Sequence, residues 1–292
     1  MASVNPGFPA ALSEWYTGCG LGMGDAVTLL DMVIFALFRG IAEVLPISAS
    51  GHLAFLPGLS PDGRDASAAV AAAADLGIAA ALALYFWRDV LEIGSGLWKL
   101  AKGRPDGGSR AFLRLAAAAV PALVLGWTFA RLLGAAATTP HAAAVSLLVF
   151  GLFLLAGDRL GVRVKRIEHM SYRGAFAIGL LQAAAAVPGI SRVGITITAQ
   201  RLMGYERPAS ARFSLLLLLP SLVFSASAEF WQAHRAGLTV SADLALAAVV
   251  AGIAALLAVA GLMAWVETRS YAPFALWRIL VGGGLLTRAL LG

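Results

Sequence analysis

Cysteine is all but absent from this chain. Cys19 stands alone among 292 residues, so an intrachain disulfide and a cysteine-based metal cluster are both excluded. Charge is nearly as scarce. Only 13% of the residues are Asp, Glu, Lys or Arg, against roughly 25% in soluble domains, which excludes an ordinary water-facing surface. The first 26 residues lack a basic n-region and a clean apolar h-region and carry Glu14 and Asp25, so they do not read as a cleaved signal peptide. Free of Lys and Arg, they are compatible with the outer face of a membrane.

What the chain has in abundance is apolar residue, 60% of the total with a mean hydropathy of +0.82. Apolar windows near 67–87, 111–134, 141–157, 211–232, 243–265 and 272–291 approach or reach the ~20 residues an α-helix needs to cross a bilayer. Two more windows, near 27–57 and 174–200, are interrupted by proline, glycine and charge. The expected fold is an all-α polytopic membrane protein, six transmembrane helices plus two re-entrant helical hairpins, in one membrane domain spanning 1–292.

The net charge of +6 would suit nucleic acid if it formed one patch, but it is divided. Arg88, Lys99, Lys102, Arg104 and Arg110 fall in one inter-helix segment, and Arg159, Arg163, Lys165, Arg166 and Arg173 in another. Short basic segments between spans mark the cytoplasmic side. Two spans separate these segments, which puts both on one side and the uncharged turn Ala135–Thr139 outside. Membrane sidedness accounts for the charge, and no nucleic-acid partner is expected.

The two interrupted windows share an order of residues. Gly40-Ile41-Ala42-Glu43 leads to Pro46, Ser48 and Gly51, and Gly179-Leu180-Leu181-Gln182 leads to Pro188, Ser191 and Gly194. Spacing is looser in the second copy. Each copy precedes three full spans, an odd number, so the second unit must enter the membrane from the opposite side. This predicts an inverted-topology repeat: repeat 1 over about 27–157, a basic cytoplasmic loop over 158–173 and repeat 2 over about 174–292. Such scaffolds place their sites near the midplane, between broken helices. Proline and glycine release backbone groups that lipid cannot satisfy, tolerated only where protein or a watery cavity covers them. The windows therefore read as hairpins that meet in the interior, with two proline-kinked helices as the bland alternative.

An ionisable side chain at the bilayer centre costs roughly 2.5–3.5 kcal/mol on insertion scales. Arg39, Glu43, His52 and Arg192 all fall within the interrupted windows and so line a functional site by default. Arg39 and Glu43 are four residues apart on one helical face, which leaves a simple ion pair open. Ser48, Ala49, Ser50 and Gly51 follow Pro46, where the helix should break; small residues there present backbone N–H groups to anionic oxygens. His52 suits proton transfer or nucleophilic work. In the second window Arg192 is a phosphate ligand by its bidentate fork. Gly189 and Gly194 allow close backbone approach there, and Ser191 and Thr196 add hydroxyls. The pocket these residues describe takes a phosphate on a membrane-soluble molecule.

The stretch Gly40-x-x-Glu43-x-Leu45-Pro46-Ile47-Ser48-x-Ser50-Gly51-His52-Leu53 resembles the first signature of the undecaprenyl-pyrophosphate phosphatases, also called bacitracin-resistance proteins. The run Pro188-Gly189-Ile190-Ser191-Arg192-x-Gly194-x-Thr196 resembles their second. Tyr85-Phe86-Trp87-Arg88-Asp89, Phe213-Ser214 to Pro220, and Phe274-x-x-Trp277-Arg278-Ile279-x-x-Gly282 extend the likeness over most of the chain. The resemblance implies a bacterial inner-membrane enzyme that removes the terminal phosphate of a polyprenyl pyrophosphate lipid, recycling the carrier for cell-wall synthesis. It implies a site open to the outer side and a divalent cation, Mg²⁺ or Ca²⁺, with Glu43 as a ligand. It also implies functional roles for Glu43, Ser48, His52, Ser191, Arg192 and Thr196. A homodimer is compatible with the sequence.

Three positions depart from the family: Arg39 stands where it has glutamate, and Ala49 and Val193 where it has serine. The first reverses a charge beside the cation, the second removes a hydroxyl that leads the candidates for nucleophile, and the third alters a neighbour of Arg192. His52, Ser48, Ser50 or water remain as nucleophiles, and a guanidinium at Arg39 can take the cation's electrostatic task. The expected mechanism has Arg39 and Arg192 clamp the pyrophosphate while His52 attacks or relays the proton. In it Glu43 orients His52, and Ser191 and the serine break supply hydrogen bonds. The competing reading is a non-hydrolytic paralogue that binds or translocates a polyprenyl phosphate; a general solute transporter fits the repeat but not the signatures. Asp75 and Glu229 lie within spans, where arginines are their natural partners, and His141, His169 and His234 fall at solvated loop edges. The alanine runs 71–74 and 183–186 read as close helix packing.

Overall fold

Side-chain caps set where many of the helices begin. Asp106, Thr139, Ser171, Ser191 and Ser241 each precede a helix and accept a hydrogen bond from a backbone N–H of its first turn, satisfying donors that have no partner within the helix. The computed structural model describes residues 29–55, 64–134, 139–161, 164–235 and 241–291. Cys19, the amino-terminal segment to residue 28, residues 135–138 of the turn expected outside and Arg163 lie outside the described residues.

The helices in chain order are α1 (Leu29–Val44), α2 (Ala49–Leu53), α3 (Arg64–Tyr85), α4 (Trp87–Ala101), α5 (Gly107–Leu133), α6 (Pro140–Leu160), α7 (Tyr172–Gln182), α8 (Arg192–Leu202), α9 (Arg207–Arg235), α10 (Ala242–Thr268) and α11 (Ala272–Leu291). Short 3₁₀ turns occupy Ile167–His169 and Ala183–Ala186. Among the described residues there is no strand, only an isolated bridge between Lys165 and Tyr205. The described residues are all-helical in their regular structure, in line with the all-α expectation.

Among the described residues five helices are long and apolar enough to cross a membrane: α3 over Ala68–Tyr85, and α5, α6, α9 and α10 over their whole lengths. The sequence predicts six. The sixth window forms the helix α11, with Arg278 buried within it and Arg288 near its end. The outer faces carry large exposed apolar side chains, among them Leu132, Ile253, Leu257 and Leu280. A hydrocarbon surround accommodates such a surface and water does not. The protein is a multi-pass membrane protein.

Both interrupted windows break where proline and glycine predict. α1 ends at Val44, residues 45–47 turn, and α2 begins at Ala49; α7 ends at Gln182, a 3₁₀ turn follows, and α8 begins at Arg192. The first basic segment, expected as a loop, is instead the amphipathic helix α4. Trp87, Leu91 and Trp98 are exposed on it, and Lys102 lies over the Trp98 ring at 4.5 Å. A helix with exposed indoles and lysines suits the plane of a membrane interface.

The two matching glycines pack alike. A Cβ on Gly40 of α1 would lie 2.5 Å from the Ala251 carbonyl of α10, and one on Gly179 of α7 would lie 2.1 Å from the Ala118 carbonyl of α5. Each broken helix therefore presses its glycine onto the backbone of a long helix from the other half of the chain. α3 packs on both α9 and α10, and α6 on α11. The alanine run 71–74 sits in the α3 core as expected, with Ala72 and Ala74 fully buried. The run 183–186 forms the 3₁₀ turn against α5.

At one end the packing converges on Asp158, which is 1% exposed. It accepts from Arg201 Nε (3.3 Å), from Arg207 Nε and Nη2 (2.6 and 2.9 Å), and from the Tyr271 N–H (3.0 Å). Arg201 also donates to the Tyr205 carbonyl. This knot joins α6, α8, α9 and the start of α11.

Candidate functional site

The two breaks face one cavity of about 300 Å³. Its walls come from α1 (Arg39, Ala42, Glu43), the first break (Ser48, Ala49, Ser50), α5 (Ala122, Leu123, Gly126, Trp127), the 3₁₀ turn with Gln182, the second break (Ile190, Ser191, Arg192) and α9 (Ser221, Phe224, Ser225, Glu229). Proline again helps to shape the wall. Pro121 and Pro220 sit inside α5 and α9, directly before the lining residues Ala122 and Ser221, and interrupt the helical hydrogen bonding there.

Arg39 and Glu43 share a helix face but do not pair with each other. Arg39 Nε donates to Asp75 Oδ1 of α3 at 2.8 Å, and Glu43 Oε1 accepts from Arg192 Nε of α8 at 2.7 Å. Asp75 is fully buried; its Oδ2 accepts from Ser225 Oγ at 2.8 Å and lies 3.9 Å from Arg192 Nη2. A buried charge requires such pairing. The geometry of the two arginines is alike: each spends its Nε on a carboxylate. Neither makes a hydrogen bond through its Nη groups to any described residue. Both arginines line the cavity with Nη groups free of hydrogen bonds to described residues, and a guanidinium can receive phosphate oxygens bidentately.

The serine break is tightly folded. Ser48 has φ 75°, a left-handed conformation rare outside glycine. Its Oγ accepts from the Gly51 N–H at 3.4 Å and lies 3.4 Å from Ser50 Oγ, and its carbonyl accepts from the His52 N–H. Two N–H groups of the expected anion nest are therefore already satisfied inside the loop. Ser50 is exposed to the cavity. In the second break Gly189 adopts φ +90°, and Ser191 caps α8 by accepting from the Gly194 N–H at 3.0 Å. The positive end of α8 is thereby set at the cavity wall.

Of the residues singled out in the sequence, Arg39, Glu43, Ser48, Ser50, Ser191 and Arg192 line the cavity together. Gly51, His52, Gly189, Gly194 and Thr196 stand behind it. Thr196 Oγ1 is turned onto the Arg192 and Val193 carbonyls at 3.0 Å each. A Cβ on Gly51 would lie 2.7 Å from the Gly189 Cα, so the two breaks touch through glycine. His52 is engaged on both ring nitrogens, and neither bond goes to Glu43. Trp277 Nε1 donates to Nε2 at 2.9 Å, and because indole only donates, Nδ1 carries the proton and donates to the Ser48 carbonyl at 2.8 Å.

Arg278, noticed in the sequence only as part of a terminal motif, is fully buried. It donates from Nη2 to the Gly189 carbonyl (2.8 Å) and from Nη1 to the Pro46 carbonyl (3.4 Å). One residue of α11 therefore ties both breaks, while its neighbour Trp277 ties His52. The sequence held a signal for this, an arginine amid an apolar window, which is costly unless it has work to do. Gln182, the counterpart of Glu43 in the matching order, donates to Ser221 Oγ at 2.8 Å. Glu229 Oε2 is buried without a hydrogen-bond partner.

Glu43 does not sit in a metal-binding set. Among the described residues no group of three His, Cys, Asp or Glu side chains is placed to hold a metal ion, and the Glu43 and Asp75 carboxylates are each bonded to a guanidinium. These donors do not fit the divalent cation that the family resemblance implies.

Comparison with known proteins agrees with the motifs. The chain matches the family described as "Bacitracin resistance protein BacA" over residues 32–284. It is 46% identical over 265 residues to a protein of Paramagnetospirillum magneticum named undecaprenyl-diphosphatase 1, covering 89% of this chain and 97% of that one. It is 42% identical over 272 residues to the protein of that name from Rhodospirillum rubrum (90% and 96% covered). It is also 35% identical over 274 residues to the undecaprenyl-diphosphatase of Micrococcus luteus (91% and 98% covered).

Proposed function

As the chain belongs to the BacA family of bacitracin resistance proteins, we propose that it hydrolyses undecaprenyl pyrophosphate to undecaprenyl phosphate and inorganic phosphate, recycling the carrier lipid of cell-wall synthesis. The observation that carries this reading is the pair of guanidinium groups, Arg39 and Arg192, each fixed through Nε to a carboxylate and both lining one cavity. Leu123, Trp127 and Phe224 wall the same cavity, so an anionic head and an apolar chain are served side by side.

In the proposed reaction Arg39 and Arg192 hold the terminal phosphate and take up the charge that develops on it. Water adds to the terminal phosphorus, the bond to the bridging oxygen breaks, and undecaprenyl phosphate departs with the electron pair. Glu43, whose Oε1 is fixed by Arg192, takes the proton from water on Oε2 and returns it to the released phosphate. Ala49 leaves no hydroxyl at the position where the resemblance places a nucleophile, which favours direct attack. Ser48, Ser50 and Ser191 donate to phosphate oxygens. His52, with both ring nitrogens occupied, positions the first break rather than attacking, and Gly51, Gly189, Gly194 and Thr196 shape the breaks behind the clamp.

The proposed architecture is an inverted repeat, 27–157 and 174–292 about the basic segment 158–173, with α3, α5 and α6 matched by α9, α10 and α11 and the two breaks as re-entrant hairpins. The like packing of Gly40 and Gly179 supports it. The protein sits in the bacterial inner membrane with its basic segments inside and the cavity open to the outer side. Phosphate release from undecaprenyl pyrophosphate by the purified protein in detergent tests the function. Release that Arg192→Ala abolishes is expected. Binding of lipid phosphate by the wild type with no release would overturn hydrolysis and favour a binding or translocating protein.

A further inference from the structure

The cavity has an internal charge balance that leaves little for a metal ion to do. Arg39 and Arg192 contribute two positive charges, and Asp75 and Glu43 neutralise them pairwise at 2.8 and 2.7 Å. Asp75 sits on α3 within an apolar core, fully buried, and is further fixed by Ser225 of α9. An aspartate buried so deeply in a span needs a charged partner, and the guanidinium supplies it. Conversely, Arg39 without Asp75 would be free to swing out of the cavity or to collapse onto Glu43, four residues along the same face. The pair is therefore mutually dependent, and it holds a fixed positive group in the cavity beside Glu43. The one remaining lining carboxylate, Glu229, belongs to no group of three that could hold a metal ion among the described residues.

We infer that the Arg39–Asp75 pair takes the place of a divalent cation in this site, so that the chain turns over its pyrophosphate substrate with no metal ion bound. The inference rests on the phosphatase reading above for its substrate. In it Asp75 is a positioning residue: it touches no substrate atom and acts by holding the guanidinium that does. A guanidinium supplies one positive charge and up to two parallel N–H donors to the phosphate. Like a metal ion, it needs no proton transfer to stabilise the developing charge.

The test uses the full-length protein in detergent, stripped with EDTA, with two readouts. The first is phosphate release from undecaprenyl pyrophosphate in EDTA and with millimolar Ca²⁺ or Mg²⁺. The second is calorimetric titration with Ca²⁺ alone. Rates within about twofold of each other and no saturable heat of Ca²⁺ binding are expected. A drop of tenfold or more in EDTA that Ca²⁺ restores, or saturable Ca²⁺ binding that Glu43→Gln abolishes, would overturn the inference while leaving the phosphatase reading intact. If no phosphate is released under either condition the phosphatase reading fails, and the calorimetric result alone decides whether the site takes a cation. The double variant Arg39→Glu with Asp75→Asn exchanges the built-in positive charge for a second carboxylate four residues from Glu43. It is expected to release phosphate only when Ca²⁺ is added, a change that a merely structural role for Asp75 would not produce; cation-independent release by this variant would also overturn the inference.

Discussion

Arg39 and Arg192 approach the same cavity from elements 153 positions apart in sequence, yet each is oriented by one carboxylate on its Nε. Replacing Arg192 by Lys keeps the charge but loses the fork and the rigid link to Glu43. The expected outcome is a fall in kcat/KM of ~10²–10³-fold, checked by steady-state phosphate release. Glu43→Gln is expected to lower kcat by ~10²–10⁴-fold, the range for loss of a positioned proton acceptor, with folding retained because the amide oxygen still accepts from Arg192. His52 is expected to behave differently from either. His52→Asn and Trp277→Phe each remove one hydrogen bond of the chain that supports Ser48, worth about 1 kcal/mol, so each should cost ~5–10-fold in kcat. The double variant should cost no more than the worse single one, because the two residues act through one contact.

These residues were unequally legible. The sequence brought Arg39, Glu43, Ser48, Ser50, Ser191 and Arg192 to one place by motif order and by the cost of burying charge. It did not show which carboxylate answers which arginine, because helical spacing alone allows Arg39 to pair with Glu43 and contains no term for α3 arriving with Asp75. His52 was misassigned as a partner of Glu43 for a related reason. The direction of its ring depends on Trp277, 225 residues away, and pattern reading reaches only its own turn.

At the scale of elements, close approach is enforced where a glycine meets a carbonyl. Gly40→Val is expected to push α1 off α10, costing ~1–3 kcal/mol as an overpacked contact and lowering the thermal midpoint of the detergent-solubilised protein. Gly94→Ala, with nothing within 4 Å of the added carbon, is the matched control and should not. The start of α5 gives a pH-dependent expectation. Asp106 caps α5 and bonds Lys99 at 2.7 Å, and these hydrogen bonds lower its carboxyl pKa to about 2. Its contribution is complete above the unfolded value, about 4, and is lost as pH falls through about 2. The difference in thermal midpoint between wild type and Asp106→Ala should therefore be constant above about pH 4 and shrink below it. Both breaks were readable from Pro46 and Pro188. The amphipathic helix α4 was not, because a segment with five basic residues nearby and no membrane-length run looks like a loop until its indoles and lysines are seen to share a surface.

At the scale of the whole molecule, buried charge among the described residues gathers in two clusters with different consequences, with Arg278 between the two breaks. The Asp158 knot joins four helices through Arg201, Arg207 and the Tyr271 N–H, remote from the cavity, and is structural. Asp158→Ala removes the carboxylate that buried Arg201 and part-buried Arg207 share and is expected to cost ~3–5 kcal/mol of stability, visible as a lowered thermal midpoint and reduced yield of folded protein. The cavity cluster, by contrast, joins α1, α3, α8 and α9 around an open space, the arrangement of a site rather than a brace. Arg278 connects the scales: one side chain of α11 holds the carbonyls of both breaks. The carboxy-terminal helix is thus what keeps the two halves of the site in register.

The central claim is that Arg39 and Arg192 act on one and the same phosphate. A double-mutant cycle on kcat/KM for undecaprenyl pyrophosphate, with Arg39→Ala, Arg192→Ala and both, tests it most directly. The account predicts that each single variant loses at least ~10²-fold and that the double variant departs from the product of the two losses by at least ~5-fold, the signature of a shared ligand. Losses that multiply independently, or full activity in Arg39→Ala, would contradict it.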